Sequence, residues 1–310
     1  MNKKLKLCTV VVTYNRSKLL LRNLESQFNQ NINIDYVVIV DNNSTDGTEE
    51  ILIQNKIIGK ENVSYHKLKE NIGGAGGFEY GLRKAYELGA DVICLMDDDG
   101  YALNEYTFES VMDYIDNSVE IEKPFFINSM VVCNDENITF PYEGVIKTRK
   151  EAVDLSVEGF LEGYGSPFNA TFVNRQLIDK IGFPRGDFFI RYDEVDYFFK
   201  AKSINAHVGV VTDSLYFHPE TSKYEEKFVL GKLFINDYEK GWKEYYKTRN
   251  SIILYRELEE SGLRLLKNSI KRIVGLYVFG VSNKMEITKY IIKGTFDAFR
   301  NKTGKVVNPY

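Results

Sequence analysis

A chain of 310 residues with 44% hydrophobic and 27% charged side chains has the material for one large α/β domain plus an appendage, which excludes a disordered protein. Its formal net charge of −4 gives no support to a nucleic-acid partner. The three cysteines, Cys8, Cys94 and Cys133, lie in apolar strand-like runs without CxxC spacing, so buried reduced thiols of a cytosolic protein are expected and a zinc site is not.

The start Met1-Asn2-Lys3-Lys4 runs straight into a strand rather than into an apolar leader, and no uninterrupted apolar run of about 20 residues could span a bilayer. Apolar runs at 7–12 and 36–40 read as buried strands. Each ends in a polar cluster, Thr13-Tyr14-Asn15-Arg16-Ser17 after the first and Asp41-Asn42-Asn43-Ser44-Thr45-Asp46-Gly47 after the second. Helices are expected over about 18–27 and 48–54, the second with Ser, Thr and Asp candidates for its N-cap. A third strand at 63–66 precedes Asn71-Ile72-Gly73-Gly74-Ala75-Gly76-Gly77-Phe78, which opens a helix to about residue 88. Glycines in this density let backbone approach a phosphate at the helix N-terminus, and we read the cluster as shaping a donor pocket in preference to a tight turn with close helix packing. It matches neither GxGxxG nor a P-loop.

The apolar run 92–96 then delivers Asp97-Asp98-Asp99-Gly100, the stretch around which the chain is organised. Carboxylates this close repel one another unless a cation neutralises them, and a hard ion such as Mg²⁺ or Mn²⁺ is the natural guest; a solvated acidic turn is the alternative. Alternating strand and helix predicts a mostly parallel, doubly wound sheet, whose ligands collect at the carboxyl ends of the strands. Residues 13–16, 41–46 and 97–99 all lie at such ends.

Beyond Gly100 we expect a helix over 105–116, a strand over 125–132 and irregular, hairpin-like chain over 140–158. A loop over 163–170 leads into a helix near 175–181. The run Phe188-Phe189-Ile190-Arg191-Tyr192-Asp193-Glu194-Val195-Asp196-Tyr197 brings a second acidic cluster. With a helix starting near Asp193, Glu194 lies on its first turn facing the cleft and Asp196 adds negative charge at the N-terminus; plain capping is the alternative. A strand over 208–211 is followed by Tyr216-Phe217-His218-Pro219. On spacing alone His218, one of 3 histidines, is more simply structural or solvated than a ligand.

Together, residues 11–16, 40–47, 71–78, 97–99 and 192–197 resemble the inverting family 2 glycosyltransferases of the GT-A fold, in that family's order and over about the first 220 residues. The glycine-rich motif is most similar to the galactofuranosyltransferase branch, with rhamnosyltransferases as near relatives. The resemblance implies a Rossmann-like sheet in which Thr13, Asn15, Arg16 and Asp41 hold the nucleotide, Asp41 by hydrogen bonding to uracil or ribose. Asn71, Gly73, Gly74, Asp97 and Asp98 then belong to the donor site, while Asp97 and Asp99 bind or orient the metal that clamps the diphosphate and His218 is its third ligand. Glu194 falls on the catalytic-base position, where most members have aspartate. Either the acceptor sits one methylene further out, or Asp193 does the work. The chemistry stands without the analogy: a divalent cation stabilises a diphosphate leaving group, a carboxylate takes the proton of the acceptor hydroxyl, and direct displacement inverts the anomeric centre.

From Asp237 the pattern is helical, with Trp242, Tyr245, Tyr246, Asn250 and Ile253 at helical spacing. The segment 244–250 resembles one that follows the catalytic domain in the same family, near the acceptor side. Between residues 264 and 305 ten Lys and Arg stand against two acids, Glu286 and Asp297, a local charge of +8. Ile270, Ile273, Val274, Tyr277, Val278, Ile291 and Phe296 interleave with these cations. Such a region can lie on an anionic membrane; helices packed on the catalytic domain with solvated cations are the alternative.

The expected organisation is a GT-A domain over 1–220, its donor half about 1–100 and its acceptor half about 101–220, and a helical, basic amphipathic region over 221–310. The expected activity is metal-dependent (Mn²⁺ or Mg²⁺) inverting transfer from a nucleotide-sugar donor to a glycan or lipid-linked acceptor of a bacterial cell-surface polysaccharide. It is placed in the cytoplasm, peripheral on the inner face of the plasma membrane, with room for a homo-oligomer. UDP-galactofuranose is the leading donor and dTDP-rhamnose the runner-up. A sugar nucleotidyltransferase shares the sheet, glycine loop and acids, but needs an N-terminal glycine-rich loop with a basic residue, where this chain has Thr13-Tyr14-Asn15-Arg16. A non-catalytic sugar-binding protein would tolerate loss of the acids, and all are present.

Overall fold

The computed structural model describes residues 4–220, 225–229, 231–239 and 241–308. Strands β1 (Leu7–Thr13), β2 (Tyr36–Asp41), β3 (Val63–Lys67) and β4 (Val92–Asp97) pair in parallel in the order β3-β2-β1-β4. Helices α1 (Ser17–Phe28), α2 (Thr48–Gln54) and α3 (Gly73–Glu87) make the crossovers. Both faces of these strands are covered, which is why their sequences are apolar at every position rather than at alternate ones. Leu7, Val11, Val37, Ile39, Val92, Cys94 and Met96 pack with α1 and α2, while Cys8, Val10, Val12, Val38, Val40, Ile93 and Leu95 pack under α3.

The second half contributes β5 (Tyr101–Ala102), α4 (Thr107–Ser118), β6 (Phe125–Val132), β7 (Asn137–Tyr142), β8 (Ile146–Thr148), α5 (Arg149–Leu155), β9 (Phe160–Glu162), β10 (Asn169–Asn174), α6 (Arg175–Ile181), α7 (Asp193–Ser203) and β11 (His207–Phe217). The sheet continues β4-β10-β6-β11-β5, with β10 antiparallel to both neighbours and β6 parallel to β11. Strands β1 to β4, β6 and β11 therefore run the same way, and their carboxyl ends share one edge.

Several expectations change. The stretch 140–158 holds the expected hairpin, β7 paired antiparallel with β8, but adds a helix, α5, opened by a capping box in which Thr148 accepts from the Glu151 N–H and Glu151 from the Thr148 N–H. Strand β11 runs on past residue 211 through a bulge between Val211 and Leu215. Cys133 lies just beyond β6 and is partly exposed, unlike the buried Cys8 and Cys94. The region after 220 is not all helix: a hairpin of β12 (Glu225–Val229) and β13 (Lys232–Asn236) comes first, and α8 (Lys243–Glu257) starts six residues after Asp237. Asp237 instead pairs with Lys247 and Arg272. Helices α9 (Gly262–Val278) and α10 (Lys284–Phe299) complete the appendage. Gly294 of α10 sits where a Cβ would lie 2.7 Å from the Tyr245 carbonyl, so α8 and α10 cross at backbone contact.

Residues 304–307 return to the catalytic half. The Gly304 N–H donates to the Asp187 carbonyl at 2.6 Å and Lys305 Nζ to the Asn71 carbonyl at 3.1 Å, while the Tyr246 hydroxyl accepts from the N–H groups of Val306 and Val307.

Candidate active site

The sheet register sets Thr13 beside Asp41 and Val12 beside Asp97, so three strand ends bring their polar residues to one place. Asp98 turns inward, is 4% exposed and anchors the first turn: Thr13 Oγ1 donates to it at 2.7 Å and Arg16 at 3.0 Å. Arg16 also reaches Asp99 at 2.8 Å and keeps about half of its side chain in solvent. Beneath the acidic turn, buried Asn23 donates from Nδ2 to the carbonyls of Asp97 (3.2 Å) and Gly100 (2.8 Å) and to the Tyr216 hydroxyl. A Cβ on Gly100 would lie 2.3 Å from the Tyr216 ring, which is why glycine ends the triple-aspartate run.

Asp97, Asp99 and His218 come together, with one ligand atom of each lying within 4.8 Å of the others. His218 reaches this edge at the end of β11, its N–H bonded to the Val132 carbonyl of β6. Its Nδ1 lies 2.8 Å from the Pro219 carbonyl, so Nδ1 carries a hydrogen and Nε2 points at Asp99 Oδ1, 3.4 Å away. That carboxylate oxygen is buried, and this long approach of His218 is its one polar contact among the described residues. Burial, then the charges of Asp99 and Asp98, push Asp97 up to about 7. Asp99 is also penalised by burial, but the hydrogen bond and charge of His218 and the charge of Arg16 hold it below the usual range. Burial works against an imidazolium at His218, yet Asp99 and the Pro219 carbonyl raise its pKa overall. A buried carboxylate oxygen with only a long contact to His218, a second acid whose ionisation its neighbours oppose, and an imidazole oriented by its other nitrogen fit a hard divalent cation.

The second acidic cluster opens α7. Asp193 is buried and Glu194 partly exposed. Burial, then the charge of Glu194 and a hydrogen bond to it, raise the pKa of Asp193 well above the usual carboxylate value, so Asp193 resists ionisation beside its neighbour. The charge of Glu194 acts on Asp97, and that of Asp97 adds to the rise at Asp193. Asp196 adds first-turn charge but is turned into the protein, paired with Lys200 at 2.7 Å.

The residues expected to hold the nucleotide first bind one another. Asn15, at φ +54°, accepts through Oδ1 from the Thr45 N–H at 2.7 Å and donates its own N–H to Ser44 Oγ. Asp46 accepts from the Ser17 N–H at 3.0 Å, joining the same two turns. Asp41 is fully buried, with Oδ1 taken by the Ser44 N–H (2.7 Å) and Oδ2 by the Tyr65 hydroxyl (2.6 Å), so both of its oxygens are engaged within the protein.

Three of the four glycines between residues 73 and 77 are closely packed, the reading ranked second from the sequence. A Cβ on Gly77 would lie 2.5 Å from Val12 Cγ1, one on Gly76 2.8 Å from Ile72, and one on Gly73 1.9 Å from the Phe189 carbonyl. The Ala75 N–H at the start of α3 already donates to that carbonyl at 3.1 Å, so this amide is not open to a phosphate. Asn71 Oδ1 caps the Gly73 N–H at 2.8 Å, and Asn42 bonds the Gly73 carbonyl. Only at Gly74, among the four glycines between residues 73 and 77, is the space around a Cβ open.

Sequence reasoning missed Asn23, Tyr65 and Tyr216, which support the two acidic turns, and the buried Arg249 of α8. Asn23 and Arg249 carried a signal: each is a polar residue on the apolar stripe of a helix, where a hydrogen-bonding role is the usual reason for burial.

This sheet, with acids converging at its carboxyl edge, defines a GT-A glycosyltransferase. The description "Glycosyl transferase family 2" matches residues 8–169, and the chain belongs to that family. The galactofuranosyltransferase GlfT1 of Mycolicibacterium smegmatis is 26% identical over 268 residues, covering 84% of this chain and 85% of that protein. The dTDP-rhamnosyl transferase RfbF of Shigella flexneri is 25% identical over 310 residues, covering 95% and 96%. Among solved structures, a mannosyltransferase from Pyrobaculum calidifontis in complex with GDP-Man and Mn²⁺ superposes with TM-score 0.60 at 13% identity, over 97% of this chain and 89% of that one. Likeness at that identity speaks for the fold.

Proposed function

We propose that this glycosyltransferase moves galactofuranose from UDP-galactofuranose, with inversion, to a glycan or lipid-linked acceptor of a cell-surface polysaccharide. The observation that carries the reading is the meeting of Asp97, Asp99 and His218 at the carboxyl edge of the sheet, with Glu194 near enough for its charge to act on Asp97. Likeness to a galactofuranosyltransferase favours that donor; likeness to a dTDP-rhamnosyl transferase makes dTDP-rhamnose the second reading.

In this reading Thr13, Asn15 and Arg16 line the nucleotide side with Asn71, Gly73 and Gly74, and Asp41 shapes that wall from below. The half-exposed Arg16 guanidinium, steadied by Asp98 and Asp99, faces the diphosphate. Asp97, Asp99 and His218 would hold Mn²⁺ or Mg²⁺, which when bound neutralises charge on the leaving diphosphate. Glu194 takes the proton of the acceptor hydroxyl. Asp193 keeps its own proton and donates to Glu194, so it orients the base and does not compete with it. The test is hydrolysis of a panel of UDP-, dTDP- and GDP-sugars with Mn²⁺ or Mg²⁺, with and without EDTA. Release of one nucleotide, abolished by EDTA, is expected; release indifferent to EDTA removes the metal from the mechanism.

We place the enzyme on the inner face of the plasma membrane through 264–305. No helix among the described residues is long and apolar enough to cross a bilayer. Leu263, Leu266, Ile270, Val274 and Tyr277 form one exposed stripe of α9, and Met285, Ile292, Phe296 and Phe299 one of α10. Exposed Lys267, Lys271, Lys289, Lys293 and Arg300 flank them, the pattern that suits an anionic lipid surface.

A further inference from the structure

We infer that Asn250, with Arg249 beside it, is a positioning residue: it holds residues 188–192 in a strained turn that aims the Asp193–Glu194 pair. The inference rests on Glu194 being the base of the proposed reaction.

The turn does not hold itself. Phe189 lies at φ 68°, ψ −63°, Arg191 at φ 67° and Tyr192 at φ 70°, ψ −6°. Three non-glycine residues at positive φ within four positions is a conformation that a free chain avoids, and it persists only where surroundings impose it. Tyr192 is the residue immediately before α7, so the turn sets the direction in which the first helical turn, and Glu194 on it, departs.

The imposing groups come from α8, about 60 residues away in sequence. Asn250 Nδ2 lies 3.0 Å from the Phe188 carbonyl, 2.9 Å from that of Ile190 and 2.9 Å from that of Arg191. Arg249 Nε donates to Asn250 Oδ1 at 2.8 Å, which fixes the amide with its NH₂ toward the turn. Arg249 adds a bond from Nη2 to the Phe188 carbonyl (3.0 Å) and one from Nη1 to the Gly304 carbonyl (2.7 Å). Both side chains are fully buried, and Arg249 has no ion-pair partner among the described residues, so carbonyl dipoles and the rings of Tyr245 and Tyr246 surround its charge. From the other side the Ala75 N–H takes the Phe189 carbonyl, while the Phe189 ring packs on Tyr246 at 5.0 Å. The strained turn is thus closed between the glycine-rich start of α3 and the appendage. Asn250 directs its NH₂ group to three carbonyls of the turn and none of α8, so a device for holding that turn accounts for it better than packing within the appendage.

The experiment compares wild type, Asn250→Ala, Arg191→Gly and their combination. The readouts are amide hydrogen exchange over 186–198, calorimetric binding of UDP with Mn²⁺, and Mn²⁺-dependent hydrolysis of UDP-galactofuranose and dTDP-rhamnose. In Asn250→Ala, exchange of the 188–194 amides should rise by about tenfold or more as the clamp is lost. Turnover should fall by about 100-fold, with KM and UDP affinity within about threefold of wild type, because a displaced base costs rate rather than donor binding. Arg191→Gly removes the strain at one position and should restore part of the lost turnover in the combined variant. A lower melting temperature with unchanged turnover per folded molecule, or unchanged exchange over 188–194, overturns the proposal. If wild type hydrolyses neither donor while exchange rises in the variant, the reading of Glu194 as base has failed and Asn250 is only structural. Should Asn250→Ala not fold, Asn250→Ser, which keeps one donor, is judged by the same readouts.

Discussion

Replacing Glu194 and replacing Asp193 should have opposite severity, although the two acids are adjacent. Asp193 resists ionisation, so Asp193→Asn keeps a donor beside Glu194 and should cost less than about tenfold in turnover. Glu194→Gln removes the proposed proton acceptor and should cost about 100- to 10,000-fold with nucleotide binding retained. Hydrolysis or transfer rates for the two variants, set beside UDP calorimetry, check this; equal losses would return Asp193 to candidacy as the base. His218→Ala is expected to weaken Mn²⁺ binding by at least about 10- to 100-fold, measured by calorimetry without any sugar present. The same residues mark where single-residue reasoning stopped. The triple aspartate was legible because a buried strand cannot end in three acids without a reason. Asp98 facing Thr13 and Arg16 was not, since which acid turns inward depends on side chains from another strand end.

At the scale of elements, the glycines of α3 separate packing from pocket. Gly77→Ala puts a methyl 2.5 Å from Val12 and should destabilise the protein by about 1–3 kcal/mol, whereas Gly74→Ala meets open space within the helix and should be neutral or stabilising by about 0.5–1 kcal/mol. Thermal melts of the two variants decide it. The appendage carries its own pH signature. Burial opposes the charge of Asp237, but Arg272 and Lys247 outweigh it and hold its pKa below the usual value. The stability this contributes is therefore complete above about pH 4 and lost as pH falls through the lowered folded-state pKa. Asp237→Asn should cost about 2 kcal/mol at pH 7 and little at pH 2.5, read as the difference in unfolding free energy from wild type. The core strands were readable because both of their faces are buried and their sequences must be apolar throughout. The hairpin of β12 and β13 was not, since every residue of β12 is exposed and no buried face writes itself into the pattern. Helix α5 was readable in principle: Thr148 and Glu151 spell a capping box. Asn250 was noticed only as one position in a helical repeat, because its partners lie in a turn that the fold alone brings near.

For the whole molecule, the two apolar stripes of α9 and α10 with their cations predict binding to vesicles containing phosphatidylglycerol and not to neutral phosphatidylcholine vesicles. Each exposed Lys or Arg is worth about 1 kcal/mol near such a surface, so Lys267→Glu with Lys289→Glu should release most of the protein in a sedimentation assay. Retention of the double variant at low salt would argue for a packed appendage with solvated cations.

The return of residues 304–307 to the catalytic half has a consequence in time. Lys305 reaches Asn71 across 234 positions, and Gly304 bonds both Asp187 and Arg249, so the contacts that close around the 188–192 turn join parts of the chain that are distant in sequence. Pairings of that separation form late, after the locally connected strands and helices of the first hundred residues. In refolding from denaturant, ellipticity should therefore recover ahead of turnover, leaving a transient species with a complete sheet and a wandering base.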